Sequence, residues 1–281
     1  MLDIISRSVI IFLMYEKFYG LKENPFNITP DPNFIYLSKC HQEALSYLLY
    51  GIKERKGFIA ITGDIGTGKT TLCRALLNQL DKNTRTAFIL NSRLPELQLL
   101  SAIVEDFGIR TRKNTKLSLL ASLNKFLIRE LSLGNNVVLI IDEAQNLKNT
   151  TLEEVRLLSN LETEKEKLFQ IVLVGQPELR EKLNSPFLKQ LRQRISIRYH
   201  IPPLERSEVA QYIFHRLKVA GSDGSITFHD NAIDDIFNHS KGVPRLINIL
   251  CDRALLAGYV METRDITMDM IQRCIKEIEA I

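Results

Sequence analysis

A glycine-rich segment between an apolar run and a helical pattern constrains the fold of this chain more than any other feature. Residues Gly63–Thr70 fit the pattern GxxxxGK[ST]. The apolar run Phe58–Thr62 precedes this segment, and Lys69–Leu80 places apolar residues at helical spacing. In such a strand, loop and helix, backbone N–H groups and a helix N-terminus face an anion. The segment therefore predicts a phosphate-binding loop in a parallel α/β sheet.

The loop supplies the first candidate ligands. We expect the Lys69 ammonium to reach the β- and γ-phosphates of a nucleotide and the Thr70 hydroxyl to ligate Mg²⁺. The alternative is a glycine-rich turn that carries a surface lysine. We expect ATP to contact the whole loop, which comprises Gly63, Asp64, Ile65, Gly66, Thr67, Gly68, Lys69, Thr70 and Thr71.

Two adjacent acids follow a second apolar run, Val137–Ile141. We expect Asp142 to hold the hydration shell of Mg²⁺ and Glu143 to accept a proton from the attacking water or to orient it. The two acids could instead cap the next helix. An Asp-Glu pair favours ATP-driven mechanical enzymes over small GTPases, and the chain has no Asn-Lys-x-Asp segment to recognise guanine. The two motifs together predict Mg-dependent ATP hydrolysis.

Further polar residues stand where such a site needs them. Gln176 follows a predicted strand and could bond the attacking water or the γ-phosphate; the alternative is an ordinary loop residue before Pro177. Arg192 and Arg194 precede the last predicted strand, where one of them could reach a neighbouring subunit as an arginine finger. Arg245 lies at the first turn of a predicted helix and could close on the nucleotide. For the three arginines, the alternative is a solvated basic surface.

Short apolar runs alternate with helical patterns from Gly57 onward, which predicts a parallel sheet flanked by helices. The predicted strands are Phe58–Thr62, Thr86–Leu90, Val137–Ile141, Phe169–Val174 and Ile195–His200. The predicted helices between them are Lys69–Leu80, Pro95–Phe107, Lys116–Leu133 and Leu152–Leu161. After Pro202 and Pro203 the pattern predicts only helices, at Glu205–Ala220, His229–His239, Val243–Met261 and Thr267–Ile278.

The composition agrees with a folded protein of two domains. The chain has 281 residues, 45% hydrophobic and 25% charged, with a net charge of +4 that is too small to indicate nucleic-acid binding. Four cysteines without a CxxC pair predict neither a zinc site nor a disulfide framework. The apolar run Val9–Met14 is too short to span a bilayer, and no small-residue cleavage site follows it. We expect a cytoplasmic protein without a membrane span, in which residues 1–14 are an N-terminal extension and Met14 is an alternative start.

These motifs together resemble the AAA+ ATPases and, more narrowly, the family of general secretion pathway protein A. The resemblance covers nearly the whole chain after Met14. Its first part lies before the loop, at Tyr15–Leu21, Asn24–Phe26, Pro30–Pro32, Phe34–Leu37 and His41–Leu45. Its second part includes the loop and continues through Asp142–Leu147, Val174–Leu179, Leu191–Ile195 and Gly242–Arg245.

The resemblance implies a P-loop NTPase of the AAA+ type, with a five-stranded parallel sheet in 57–201 and a small all-helical lid domain in 202–281. It implies that residues 15–56 hold a first helix and an adenine-side segment at Phe26–His41. It places Gln176 at sensor 1, Arg245 at sensor 2 and the finger at Arg194 or Arg192. A finger that acts in trans implies a homo-oligomer, either a ring or a filament.

The implied function is ATP-driven assembly or regulation of a cell-envelope secretion, pilus or polysaccharide export machine, with an inner-membrane component as the partner. Longer family members carry a transmembrane helix and a peptidoglycan-binding domain after the ATPase, whereas this sequence stops at Ile281. It looks like the short soluble members near MSHA-type pilus or exopolysaccharide systems, cytoplasmic or peripheral at the inner membrane. The alternative is a transposition regulator of the TnsC/TniB type, with the basic segment Lys182–Arg198 on DNA. A scaffold that binds ATP without hydrolysing it is a third alternative.

Overall fold

The structure is a computed structural model, and it describes residues 15–90, 93–161 and 167–280. The proposed N-terminal extension 1–14 lies outside the described residues. The chain divides into two compact units. The sheet unit comprises 39–65 and 72–202, and the helical unit comprises the described part of 1–38 together with 66–71 and 203–280.

A five-stranded sheet forms the centre of the sheet unit. Its strands are β1 (Phe58–Gly63), β2 (Thr84–Ile89), β3 (Asn136–Ile141), β4 (Gln170–Gly175) and β5 (Ile195–Ile201). They pair in the order β2-β3-β4-β1-β5, and every pair is parallel. All residues of β1 and β4 are buried, because these strands are central and covered on both faces. In edge strand β5 only the two end residues are buried, and exposed and partly buried residues alternate between them. The five predicted strands are thus present, each shifted by two residues or fewer at either end.

Helices cover the sheet and connect its strands. They are α1 (Lys39–Lys53), α2 (Lys69–Gln79), α3 (Glu96–Asp106), α4 (Lys116–Ser132), α5 (Asn149–Leu158), α6 (Pro177–Asn184) and α7 (Lys189–Arg194). Leucine and isoleucine side chains of α3 and α4, such as Leu99, Ile103, Leu123 and Leu127, pack with those of the strands in one apolar core. The parallel arrangement places the carboxyl ends of all five strands at one edge of the sheet, which is where ligands bind in open α/β sheets.

The helical unit contains the four predicted C-terminal helices, α8 (Arg206–Val219), α9 (Asp230–Ser240), α10 (Pro244–Val260) and α11 (Met268–Glu279). It also contains two short strands that the sequence did not predict, β6 (Thr227–Phe228) and β7 (Asp265–Ile266), which pair in parallel. Two-residue strands are too short to give a period-2 pattern. The expectation that only helices follow Pro203 is therefore wrong at these four residues.

The N-terminal segment packs into the core of the helical unit. Tyr15, Tyr19, Phe26 and Phe34 join the apolar cluster formed by α8 to α11. The buried Arg216 of α8 fixes this segment, as its guanidinium donates hydrogen bonds to the carbonyl oxygens of Pro25 and Asn27. The same guanidinium lies 4.8 Å above the centre of the Phe34 ring. Residues 15–38 therefore belong to the helical unit and residues 39–56 to the sheet unit, whereas the expected domain limits group 15–56 as one segment. The domain limits themselves stay predictions.

Among the described residues, no helix combines the length and apolarity that a membrane span requires.

Candidate nucleotide site

The two acidic residues after β3 lie at the carboxyl edge of the sheet. Asp142 is 1% exposed, and its backbone N–H donates to the carbonyl oxygen of Ile89 at the end of β2 (2.9 Å). Asp142 Oδ1 accepts the backbone N–H of Glu143 at 2.8 Å. Glu143 has φ 53° and ψ 35°, in the left-handed region. Such a conformation costs a residue other than glycine about 1–3 kcal/mol, and strained residues of this kind concentrate at functional sites.

Two glutamine side chains hold the Glu143 carboxylate. Glu143 Oε2 accepts a hydrogen bond from Gln145 Nε2 at 2.5 Å and one from Gln176 Nε2 at 2.9 Å. Gln145 Oε1 in turn accepts the backbone N–H of Gln176 at 3.1 Å. The structure thus brings together two residues that the sequence predicts for the site, Glu143 and Gln176, and it places Asp142 next to them.

The glycine-rich loop runs between β1, which ends at Gly63, and α2, which begins at Lys69. Gly66 and Gly68 have φ values of 82° and 91°, which glycine adopts without steric cost. The side chains of Thr67 and Lys69 are buried, with residue exposures of 0% and 5%. A loop with two left-handed glycines that opens a helix presents N–H groups in the way that a phosphate group requires. The residues present therefore fit a nucleotide phosphate.

Arg245 and the loop residue Gly66 belong to the same compact unit. Arg245 lies at the second position of α10, and its backbone N–H donates to the carbonyl oxygen of Gly66 at 3.3 Å. A Cβ atom at Gly66 would lie only 2.6 Å from Cβ of Arg245. The absence of a side chain at position 66 thus lets the first turn of α10 lie directly on the loop.

The two finger candidates lie at the opposite edge of the sheet from Asp142 and Glu143, because α7 ends where β5 begins. Arg194 Nη1 donates to Ser159 Oγ at 2.7 Å, within its own chain. Arg192 is half-buried, and its carbonyl oxygen accepts a hydrogen bond from Arg198. The structure therefore separates both arginines from the acidic edge of their own sheet.

Sequence reasoning missed the roles of Gln145 and Lys182 at the acidic edge. Lys182 Nζ donates to the carbonyl oxygens of Gln145 and Leu147, at 2.6 Å and 2.8 Å. In the sequence, Gln145 stands out only as part of a motif that carries the family resemblance, and Lys182 only as the start of a basic segment. The position of Gln145 two residues after the predicted base could have indicated its role. Side chains that directly follow the strand in a tight turn lie close together.

The five-stranded parallel sheet with its glycine-rich loop is the fold of P-loop AAA+ proteins. Residues 52–183 match the family model described as "AAA domain". Over 269 residues, which are 95% of this chain, the sequence is 45% identical to General secretion pathway protein A of Aeromonas hydrophila. The chain is thus similar to general secretion pathway protein A and contains a match to the AAA domain. It spans about half of that relative's length, 49%.

Solved structures with low sequence identity share the fold. The Cdc6p protein of Pyrobaculum aerophilum has a TM-score of 0.68 at 19% identity, over 87% of this chain and 70% of that one. The ORC2 protein of Aeropyrum pernix has a TM-score of 0.67 at 17% identity, over 90% of this chain and 71% of that one. The RuvB branch migration motor of Thermotoga maritima has a TM-score of 0.53 at 18% identity, over 84% and 67%.

Proposed function

We propose that this protein binds ATP with Mg²⁺, hydrolyses it to ADP and phosphate, and acts as an oligomer on a cell-envelope machine. The observation that carries the proposal is the Glu143 carboxylate, which two glutamine side chains orient directly after a buried aspartate. A carboxylate fixed in this way at the carboxyl edge of a parallel sheet is suited to accept a proton from water. The left-handed backbone at Glu143 supports the same role.

The binding roles follow from the motif of the glycine-rich loop. Lys69 binds the β- and γ-phosphates, and the backbone from Gly63 to Thr71 surrounds them. Thr70 and Asp142 hold Mg²⁺, which neutralises charge on the phosphates when it is bound. Gln176 orients the attacking water together with Glu143. Arg245 closes on the nucleotide from α10, and the segment Phe26–His41 contacts the adenine side.

Hydrolysis in this proposal requires a second copy of the chain. Arg192 and Arg194 lie at the amino edge of their own sheet, away from their own Glu143, so a neighbouring subunit supplies the finger. Arg194 must release Ser159 before it can reach a neighbour. This contact favours Arg192 as the finger, whereas the sequence analysis places Arg194 first.

The proposed client is an inner-membrane component of a secretion, pilus or polysaccharide export system, which the protein meets from the cytoplasm. This part of the proposal rests on the 45% identity to general secretion pathway protein A. The alternative is a DNA-associated transposition regulator. Two cations of its basic segment, Lys182 and Arg194, already donate to groups of the same chain, which leaves fewer of their N–H donors for DNA phosphates.

The test is the rate of phosphate release per subunit at increasing protein concentration, with and without duplex DNA. The proposal predicts a Mg-dependent rate that rises with concentration and does not change with DNA at low or moderate salt. A rate that is independent of concentration would contradict the finger in trans. A rate that appears only with DNA would replace the envelope machine with the transposition regulator.

A further inference from the structure

The side chain of Gln145 bridges the ends of two neighbouring strands. Its residue lies in the single helical turn Ala144–Asn146, directly after β3 and the two acids. Its amide nitrogen donates to Glu143 Oε2 at 2.5 Å, while its amide oxygen accepts the backbone N–H of Gln176, which follows β4, at 3.1 Å. One side chain thus uses both ends of its amide on two residues of the proposed water-activating group.

Two further features fix Gln145 in this place. A Cβ atom at residue 175 would lie 2.7 Å from Gln145 Oε1, so the amide can approach the end of β4 only because that residue is glycine. The Lys182 ammonium donates to the carbonyl oxygens of Gln145 and Leu147, which anchors the backbone within the turn and directly after it. A side chain fixed at both its backbone and its amide loses little further freedom when it orients a neighbour.

We propose that Gln145 is a positioning residue that holds the Glu143 carboxylate and Gln176 in one fixed geometry for attack of water. This inference rests on the proposed ATPase function. The donor at Nε2 acts on Glu143, and the acceptor at Oε1 acts on Gln176. A misplacement of about 1 Å at a reacting group costs on the order of 10²-fold in rate, so loss of this bridge lowers kcat without loss of nucleotide affinity.

The experiment compares Gln145→Ala and Gln145→Glu with the wild type. Gln145→Glu keeps the length and the acceptor for the N–H of Gln176, but it replaces the donor to Glu143 with a second carboxylate. We expect kcat to fall by about 10- to 100-fold in both variants, with the Kd of a fluorescent ATP analogue within about twofold of wild type. The control is Asn146→Ala, which removes an exposed amide from the same turn and leaves kcat within about twofold.

The Gln145→Glu variant separates positioning of the glutamate from a merely structural role. If Gln145 only stabilised the end of β4, Gln145→Glu would keep the wild-type kcat, and that result would overturn the inference. Gln145→Ala in a Glu143→Gln background gives a second readout. We expect it to lower the residual rate by a smaller factor than Gln145→Ala lowers the wild-type rate, because one of the two groups that Gln145 positions is already gone.

Failure of this inference differs from failure of the proposed function. A wild-type protein that releases no phosphate from ATP would refute the ATPase function, and the role of Gln145 with it. A wild-type protein that hydrolyses ATP, with a Glu143→Gln variant that does not, would leave the function standing. In that case an unchanged kcat in Gln145→Ala would refute the role of Gln145 alone.

Discussion

Gly242 connects two segments of the helical unit, and its replacement by alanine is the sharpest stability test of the structure. Its φ is +76°, and an added Cβ would lie 2.0 Å from the carbonyl oxygen of Leu204. The carbonyl oxygen of Gly242 also accepts the backbone N–H of Leu204 at 2.9 Å. The alanine can be accommodated only if this pair of backbone segments moves apart. Gly242 immediately precedes the turn that carries Arg245, so the movement also displaces the proposed lid arginine.

The chain provides a matched control in the same unit. Gly224 has a φ of +89°, and a Cβ there meets no atom within 4 Å. Gly224→Ala therefore carries only the cost of a left-handed backbone for alanine, about 1–2 kcal/mol. The lower conformational entropy of the unfolded alanine variant offsets about 0.4–1 kcal/mol of this cost. Gly242→Ala adds about 1–3 kcal/mol for the backbone shift and about 1 kcal/mol for the weakened hydrogen bond. The expected destabilisation is about 1 kcal/mol for Gly224→Ala and about 3–5 kcal/mol for Gly242→Ala.

Urea unfolding measures the difference. The chain has no Trp, so circular dichroism at 222 nm is the suitable signal. We expect a lower urea midpoint for Gly242→Ala than for Gly224→Ala, with equal slopes in the two variants. Free energies of unfolding that agree within about 0.5 kcal/mol in the two variants would refute the close contact between Gly242 and Leu204.

Four further substitutions test the site and its support. Lys69→Ala should weaken binding of a fluorescent ATP analogue about 10- to 100-fold, because it removes a charged donor to phosphate, and unchanged affinity would contradict its role. Arg216→Met should lower stability by about 3 kcal/mol in urea unfolding, because the buried carbonyl of Pro25 loses its donor; a change below about 1 kcal/mol would speak against the network. Arg192→Ala should abolish the concentration-dependent ATPase rate and keep the urea midpoint, whereas Arg194→Ala should keep that rate and lower the urea midpoint, because it removes the bond to Ser159. If Arg192→Ala leaves that rate intact, the finger is Arg194.

Elements with a strong local pattern could be predicted from the sequence. The continuous apolar run before Asp142 gave the central strand β3 within one residue, and the glycine pattern with its flanks gave β1 and α2 within one residue. The helix α5 was predicted three residues late at both its start and its end, because Asn149 and the threonines that follow it carry no apolar periodicity. Such boundaries depend on hydrogen bonding rather than on hydrophobic spacing.

Long-range contacts could not be predicted in this way. The packing of residues 15–38 with the C-terminal helices depends on pairs far apart in sequence, such as Arg216 with the carbonyl of Pro25, 191 residues away. The acid pair was predicted, but not the left-handed backbone at Glu143, since glutamate rarely adopts that conformation. The position of the Gln145 side chain depends on the absence of a side chain at Gly175. The sequence alone does not show that these two residues lie next to each other, because they lie at the ends of two different strands.

The central claim is that Glu143 activates water for hydrolysis of ATP. The most direct test is phosphate release by wild type and Glu143→Gln at equal, saturating occupancy with Mg-ATP. Glutamine keeps the size of the side chain and an oxygen that can accept the bonds from Gln145 and Gln176, so affinity for ATP should stay within about twofold. If Glu143 has this role, the rate falls by at least about 10²-fold. A Glu143→Gln variant that releases phosphate within a few-fold of the wild-type rate would contradict it.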